Sequence, residues 1–443
     1  MRDFDVIVAG GGLAGLCAAA FASRAGARVA LYESSPDLGG RARTHIKEGY
    51  YFNYGAHAFY NGEALDTALR DLGIVPRAKA PNLTAGHFYF VRDRTLHLAP
   101  FSASGLEQTT LYPAAAKPDV RAALAKLRKS PPVARSGLSA REAVEEFSPS
   151  SHVRELIFAL FRVTSYIHDP DGADGVTLFA QLQRSFSKTK SVLYVDDGWD
   201  QLVSALAVRA EAGGCLLGVG RRVTAIRQQQ TWRVESADGN SVSAPAVVIA
   251  LPPRDALELL PYAETIRVAA ERCVPVYAAC LDLGLSRLPE PRHQFALGID
   301  EPLYLSVHSQ AARLAPEGGA LVHIVRYLEQ DEDFDKALLL AELESFADLV
   351  QPGWRPHVRA RQFLWKMPVT WSEPLARFGG LSGRPSVEVP DFSGLYICGD
   401  WVGSHSLLAA AAAASGRLAG ELAAAFAQEN QSSSAPSRSL LAM

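Results

Sequence analysis

Short apolar runs stopped by glycine or proline recur at three separated places along the chain. The first is Asp5 to Ala9 (DVIVA), rich in β-branched residues and halted by three glycines, which reads as a buried parallel strand. Leu13 to Ala25 has helical composition, and Arg28 to Tyr32 (RVALY) is a second short strand. The sum is β-α-β within about thirty residues, the opening of a doubly wound sheet. A helix at about Asp200 to Ala212 leads to RVTAI (Arg222 to Ile226), TWRVES, an Asp-Gly turn and VSAPAVVIALPP, a small antiparallel unit returning to a buried strand at Val247 to Leu251. Pro252 and Pro253 end that strand because neither can donate to a ladder. The third place is LYIC (Leu395 to Cys398), followed by a long helix from about Ser406 to Ala427.

The stretches between lack this rhythm. From about Gly62 to Ser187 helix-like segments (Asp119 to Lys129, Ala140 to Phe147) are separated by Ser/Pro-rich breaks. From about Pro261 to Gly379 alternating segments such as VYAACLDL and GALVHIVRYL reappear, with a helix around Asp335 to Leu349. The pattern predicts an α/β protein with a parallel sheet, a small antiparallel unit and an inserted α+β domain. The nucleotide-type domain would comprise residues 1–61, 188–260 and 380–428, and the second domain residues 62–187 and 261–379. Residues 429–443 are polar and Ser-rich and read as a disordered tail.

Composition changes this picture little. A chain of 443 residues exceeds the size of one growing core, and 48% hydrophobic with 21% charged residues is ordinary for a globular protein. A net charge of −3 with no basic run argues against a nucleic-acid binder. The five cysteines are scattered, with no C-x-x-C pair, and read as buried thiols in a reducing compartment; no metal site is expected. The N-terminus enters a strand without the apolar region of a signal peptide, so the cytoplasm is the expected location.

Two motifs carry chemistry. In VIVAGGGLAGLCAA, Gly10 permits the tight turn, Gly12 admits a pyrophosphate to the backbone and Gly15 lets helix and strand pack closely. The helix N-terminus then faces the phosphate charge. Glu33, at the end of the next strand and eighteen residues past Gly15, can accept hydrogen bonds from a ribose. The second motif is Gly39-Gly40-Arg41-x-Arg43-Thr44, with two bare backbone positions and a guanidinium fork suited to phosphate.

With these motifs the chain resembles the superfamily of amine oxidase, protoporphyrinogen oxidase and phytoene desaturase flavoproteins. The resemblance rests on VAGGGLAGLCAA, YESSPDLGGRART and FNYGAHAF at one end, and on LYICGDWVGSHSLLAAAAAASGRLAG at the other. YVDDGWDQLVSAL, RRVTAI and VVIALPP add a middle segment. It implies a Rossmann-type domain holding FAD non-covalently, with Gly10, Gly12, Gly15, Gly40 and Arg41 at the pyrophosphate and Glu33 at the ribose. Val223 would meet the adenine through its backbone, and Asp400, after Gly399, the ribityl or pyrophosphate portion. Leu408 and Ala409 would open a helix aimed at the flavin N1/O2 edge, where reduced flavin gathers negative charge.

The branches of that superfamily differ at the reaction centre. The strand CVPVYAACLDL carries no lysine, unlike amine oxidases, and GSHSL stands where desaturases have His-Pro-Gly. The leading expectation is an FAD enzyme that removes hydride from a C–H bond of an apolar small molecule and passes electrons to oxygen, a quinone or another carrier. An amine oxidase or protoporphyrinogen-type oxidase is the alternative, and an FAD protein without redox turnover is a third. His57 and Tyr54 in FNYGAHAF are candidates for substrate or flavin contact. Tyr166 and Trp371 read as packing residues and Lys366 as a surface charge, and no general base is named. Contact with a membrane surface stays open, without a strongly basic amphipathic helix to support it.

Overall fold

The structure, a computed structural model, describes residues 3–81, 88–129, 134–187, 192–330 and 333–432. Five parallel strands lie in the order Leu216–Gly218, Val29–Tyr32, Val6–Ala9, Ala246–Ile249, Leu395–Ile397. The last four are buried along their whole length, as strands covered on both faces must be. Val8 sits opposite Leu31 and Val248, and Val248 opposite Tyr396, so the beginning, middle and end of the chain share one register. The antiparallel meander Val223–Gln228, Trp232–Ser236, Ser241–Ala244 stands beside this sheet.

The helix Leu13–Arg24 follows the first strand, and the helix Leu408–Ser432 packs directly on it. Their backbones touch because glycines face the contact. A Cβ on Gly416 or Gly420 would lie 2.2 Å from the carbonyl oxygen of Ala14 or Ala18. The long helix starts two residues later than expected and continues through Ser432, so residues 429–432 are helical where a disordered tail was expected. Gln and Glu are good helix formers, and Asn430 Nδ2 donates back to Phe426 O at 2.9 Å. The remainder of the expected tail, 433–443, lies outside the described residues.

The two inserted stretches build one seven-stranded sheet, ordered Val358–Thr370, Val276–Leu285, Ala320–Leu328, Leu303–Ser306, Phe295–Gly298, Phe88–Arg92, Thr95–Leu98. Neighbours are antiparallel except Phe295–Gly298 with Phe88–Arg92. Alternation divides the side chains: Ala278 and Cys280 join the core under the helices Lys117–Leu127, Ala140–Phe147, Ser151–Ser165 and Gly175–Ser185, whereas Ala279 and Leu281 join the core under Lys336–Val350. The helices Ala64–Asp71 and Glu264–Arg272 pack into the core around the five-stranded parallel sheet instead.

Candidate active site

The glycine loops form one end of the site. Gly10 adopts φ +108°, and a Cβ there would sit 2.5 Å from Ala250 O; one on Gly15 would sit 1.9 Å from Gly10 O. A Cβ on Gly12 would meet no protein atom within 4 Å. Gly10 and Gly15 are therefore required by the protein's own packing, whereas Gly12 is bare toward open space. The second loop is stitched to the first: Gly39 N–H donates to Gly11 O at 2.8 Å, and Gly40 would bring a Cβ within 3.4 Å of Gly12 Cα. Glu33 is fixed between them, Oε2 accepting from Gly11 N–H at 2.7 Å and Oε1 from Ser35 N–H at 2.8 Å.

Across from the loops, Arg41 Nη1 donates to Asp400 Oδ2 at 2.8 Å and to Val369 O at 2.7 Å, and the guanidinium lies 5.5 Å from the ring centre of Trp371. Asp400 is buried, and its Oδ1 has no hydrogen-bond partner among the described residues. A buried carboxylate oxygen without a donor is costly, and Asp400 lines a cavity. Ser415 Oγ accepts from Gly399 N–H at 3.0 Å, tying this turn to the final helix. That helix opens at Leu408, a non-glycine residue held at φ +54°.

A cavity of about 1130 Å³ joins these groups, larger than the roughly 300–1,000 Å³ of ordinary small-ligand pockets. Gly10, Gly12, Glu33, Gly40, Arg41, Gly399, Asp400, Leu408 and Ala409 line it, as do His57 and Tyr54. Gly15 lies behind the wall, consistent with a packing role. Val223, expected beside the adenine, opens the antiparallel meander opposite Ser236 and is not in the wall. Tyr166 and Trp371, read as packing residues, do line the cavity. Tyr166 closes its helix at φ +65° and donates to Ala56 O at 3.0 Å, with its hydroxyl 2.7 Å from that of Tyr304. Lys366 is outside the wall, its Nζ 5.1 Å from the ring centre of Tyr277. Beyond the glycine loops the cavity runs between helices and sheet, where Phe101, Leu160, Leu182, Phe186, Phe295 and Leu297 make its wall apolar.

One part of the wall is polar, and the sequence reading does not single it out. Strand pairing sets Gln362, Asp282, His323 and Ser306 side by side on four adjacent strands. Asp282 Oδ1 accepts from Cys280 Sγ at 3.0 Å and lies 2.6 Å from His323 Nδ1, while Oδ2 accepts from Gln362 Nε2 at 2.7 Å. Cys280, Asp282 and His323 bring ligand-type atoms within 4.8 Å of one another, yet these atoms are engaged with each other through hydrogen bonds. His308 lies with its ring 4.3 Å from that of His323 and stacked at 3.8 Å on Tyr194; His308 and Ser306 both line the cavity. His57 Nδ1 lies 2.9 Å from Gly55 O, and burial lowers the imidazole below its ordinary value. A lone Asp in CLDL and a lone His in LVHIV were the available signals, since a polar residue in a buried strand needs a partner. None of the five cysteines lines the cavity, and burial pushes the thiols of Cys17 and Cys215 up to about 12. No helix among the described residues is long and apolar enough to cross a membrane.

Known proteins extend this picture. Residues 13–422 match the family described as flavin containing amine oxidoreductase. Hydroxysqualene dehydroxylase of Zymomonas mobilis is 38% identical over 90 residues, a stretch spanning 20% of this chain and 22% of that relative. Among solved structures, an oxidoreductase from Methanosarcina mazei superposes with TM-score 0.72 at 19% identity, covering 93% of this chain and 98% of the other. Cyclohexylamine oxidase from Brevibacterium oxydans does so with TM-score 0.71 at 16% identity, covering 97% and 100%. Such distant likenesses establish the fold, and the family match establishes the class of chemistry. The chain belongs to the flavin containing amine oxidoreductases and is an oxidoreductase that works with a flavin.

Proposed function

We propose that the flavin is FAD, held without a covalent bond, and that the enzyme dehydrogenates an apolar small molecule. The observation that carries this reading is the continuity of one cavity from Glu33 and the Asp400 carboxylate to a wall of phenylalanine and leucine side chains. Gly12 leaves the backbone bare for the pyrophosphate, Glu33 accepts from the ribose hydroxyls, and Asp400 Oδ1 supplies the unclaimed acceptor that a ribityl hydroxyl would satisfy. Arg41, tethered to Asp400, adds positive charge beside the phosphates.

When bound, FAD supplies a ring that accepts hydride and is reoxidised by dioxygen, a quinone or another carrier. The chain's own contribution is orientation and exclusion of water. The aromatic and aliphatic wall holds a hydrocarbon portion of the substrate dry, and a fixed approach to the ring replaces much of the acid–base equipment. The relative named for hydroxysqualene supports the apolar character of the substrate, although its named reaction is a dehydroxylation. Tyr166 and Tyr304 in the wall favour a second reading, an alkylamine substrate, as the name of the structurally similar cyclohexylamine oxidase suggests.

The visible spectrum tests the cofactor: purified protein should be yellow and release FAD on denaturation. Colourless protein that takes up no added FAD overturns the reading. Anaerobic bleaching by apolar terpenoids but not by amines is expected; bleaching by amines alone establishes the second reading.

A further inference from the structure

We propose that His308 is the acid–base side chain of the cavity, with His323 and Asp282 as the positioning residues behind it. The proposal rests on the dehydrogenase reading above and deepens it by giving the reaction a proton acceptor.

Asp282 and His323 are fully buried. The carboxylate beside His323 Nδ1, at 2.6 Å, fixes the proton on that nitrogen and leaves Nε2 as an acceptor. Among the described residues His323 Nε2 is buried without a partner, and so is Nδ1 of His308, whose ring centre lies 4.3 Å from that of His323. A purely structural network would satisfy both nitrogens, because buried unpaired polar atoms are costly. Two neighbouring imidazole rings, one backed by a carboxylate and the other in the cavity wall, each keep a nitrogen available to a proton. Gln362, which also donates to Asn53 O at 2.9 Å, holds the second carboxylate oxygen and anchors the row to the segment leading to His57. The ionisable groups around His308 are His323 and His57, with Tyr194 stacked on its ring; Arg41 bears on His57, and Cys280 and Asp282 stand behind His323. Burial holds His308 well below the ordinary histidine value, so at neutral pH it is an uncharged base.

Orientation replaces part of the acid–base equipment, and a base in the wall supplies the rest. Dehydrogenation removes one hydrogen as hydride and the next, from the adjoining carbon or heteroatom, as a proton. The electron pair of that second bond becomes the new π bond. The proton goes to the His308 imidazole, whose ring is held by packing 4.3 Å from that of His323. A bound flavin would supply the hydride acceptor, with dioxygen or a quinone as its reoxidant, and His308 would release the proton to solvent. The substrate must therefore carry a removable hydrogen next to the one that is abstracted.

The test uses the holoprotein and the variants His308→Gln, His308→Ala and Asp282→Asn, with flavin content read from the spectrum. A wild-type protein that holds no FAD defeats the underlying reading; loss confined to the variants at full flavin content concerns this proposal alone. Expected for His308→Gln is a fall of about 100-fold in the anaerobic bleaching rate, with loss of the acid limb of its pH profile. Asp282→Asn should displace that limb. Added imidazole should restore His308→Ala, which also serves if the Gln variant folds poorly. Imidazole 15N spectra, independent of turnover, should show His323 protonated at Nδ1 and His308 neutral at pH 7, with the His323 tautomer lost in Asp282→Asn. Bleaching by His308→Gln within threefold of wild type with an unchanged pH profile, or a His323 proton on Nε2, overturns the proposal.

Discussion

At the scale of single residues, the glycines of the first motif divide into those that pack against the protein, Gly10 and Gly15, and Gly12, which faces open space. Gly15→Ala drives a methyl group into the carbonyl of Gly10 and should cost roughly 1–3 kcal/mol of stability, read as a lowered urea midpoint. Gly12→Ala meets no protein atom and has an extended, negative-φ backbone, so the folded chain should be as stable as before or slightly more so, while FAD uptake is lost. Equal destabilisation of both variants would show that Gly12 serves packing. Glu33→Ala or Asp400→Ala should weaken FAD binding by about 1.5–3 kcal/mol, roughly 10- to 100-fold in Kd, measured by titrating apoprotein with FAD. These residues were legible in the sequence because their spacing within one βαβ unit encodes their proximity. Asp400 was legible only by resemblance, since nothing local joins it to Arg41. Asp282 and His323 were not singled out. They meet through strand register, which the alternation of one strand cannot reveal.

Among elements, the legible ones are those whose pattern is local. Ala140–Phe147 and Asp200–Ala212 lie where composition placed them, each with its ends marked by Ser139 or by Gly213. The long strand Val358–Thr370 is harder to read, because register shifts against Val276–Leu285 interrupt its alternation and Pro368 falls within it. The proline is tolerated because this is the edge of the sheet. The contact between the first and last helices is invisible to any pattern within either one. Gly420→Ala should therefore destabilise by about 1–3 kcal/mol, although alanine normally strengthens a helix. Circular dichroism during urea unfolding would decide between loss and gain.

For the molecule as a whole, buried ionisable groups pull stability in opposite directions with pH. Burial, with the nearby charge of Asp169, raises Glu373 from 4.5 to about 7. The folded chain then holds this proton more tightly than the unfolded one, so the contribution is full below 4.5 and disappears as pH rises through 7. Glu373→Gln should be more stable than wild type at pH 8 by on the order of 2 kcal/mol, with the gap nearly closed at pH 4.5; urea midpoints at both values check it. His308 and His57, lowered by burial from 6.5, act oppositely and cost stability as pH falls below that value. The seating of the final helix on the first, glycine to carbonyl, has a temporal side. Ribosomes deliver roughly 5–20 residues per second, and nearly the whole polypeptide separates the two helices. For on the order of a minute of synthesis the apolar flank of the opening helix emerges without its mate, a natural client for chaperones until the last segment arrives.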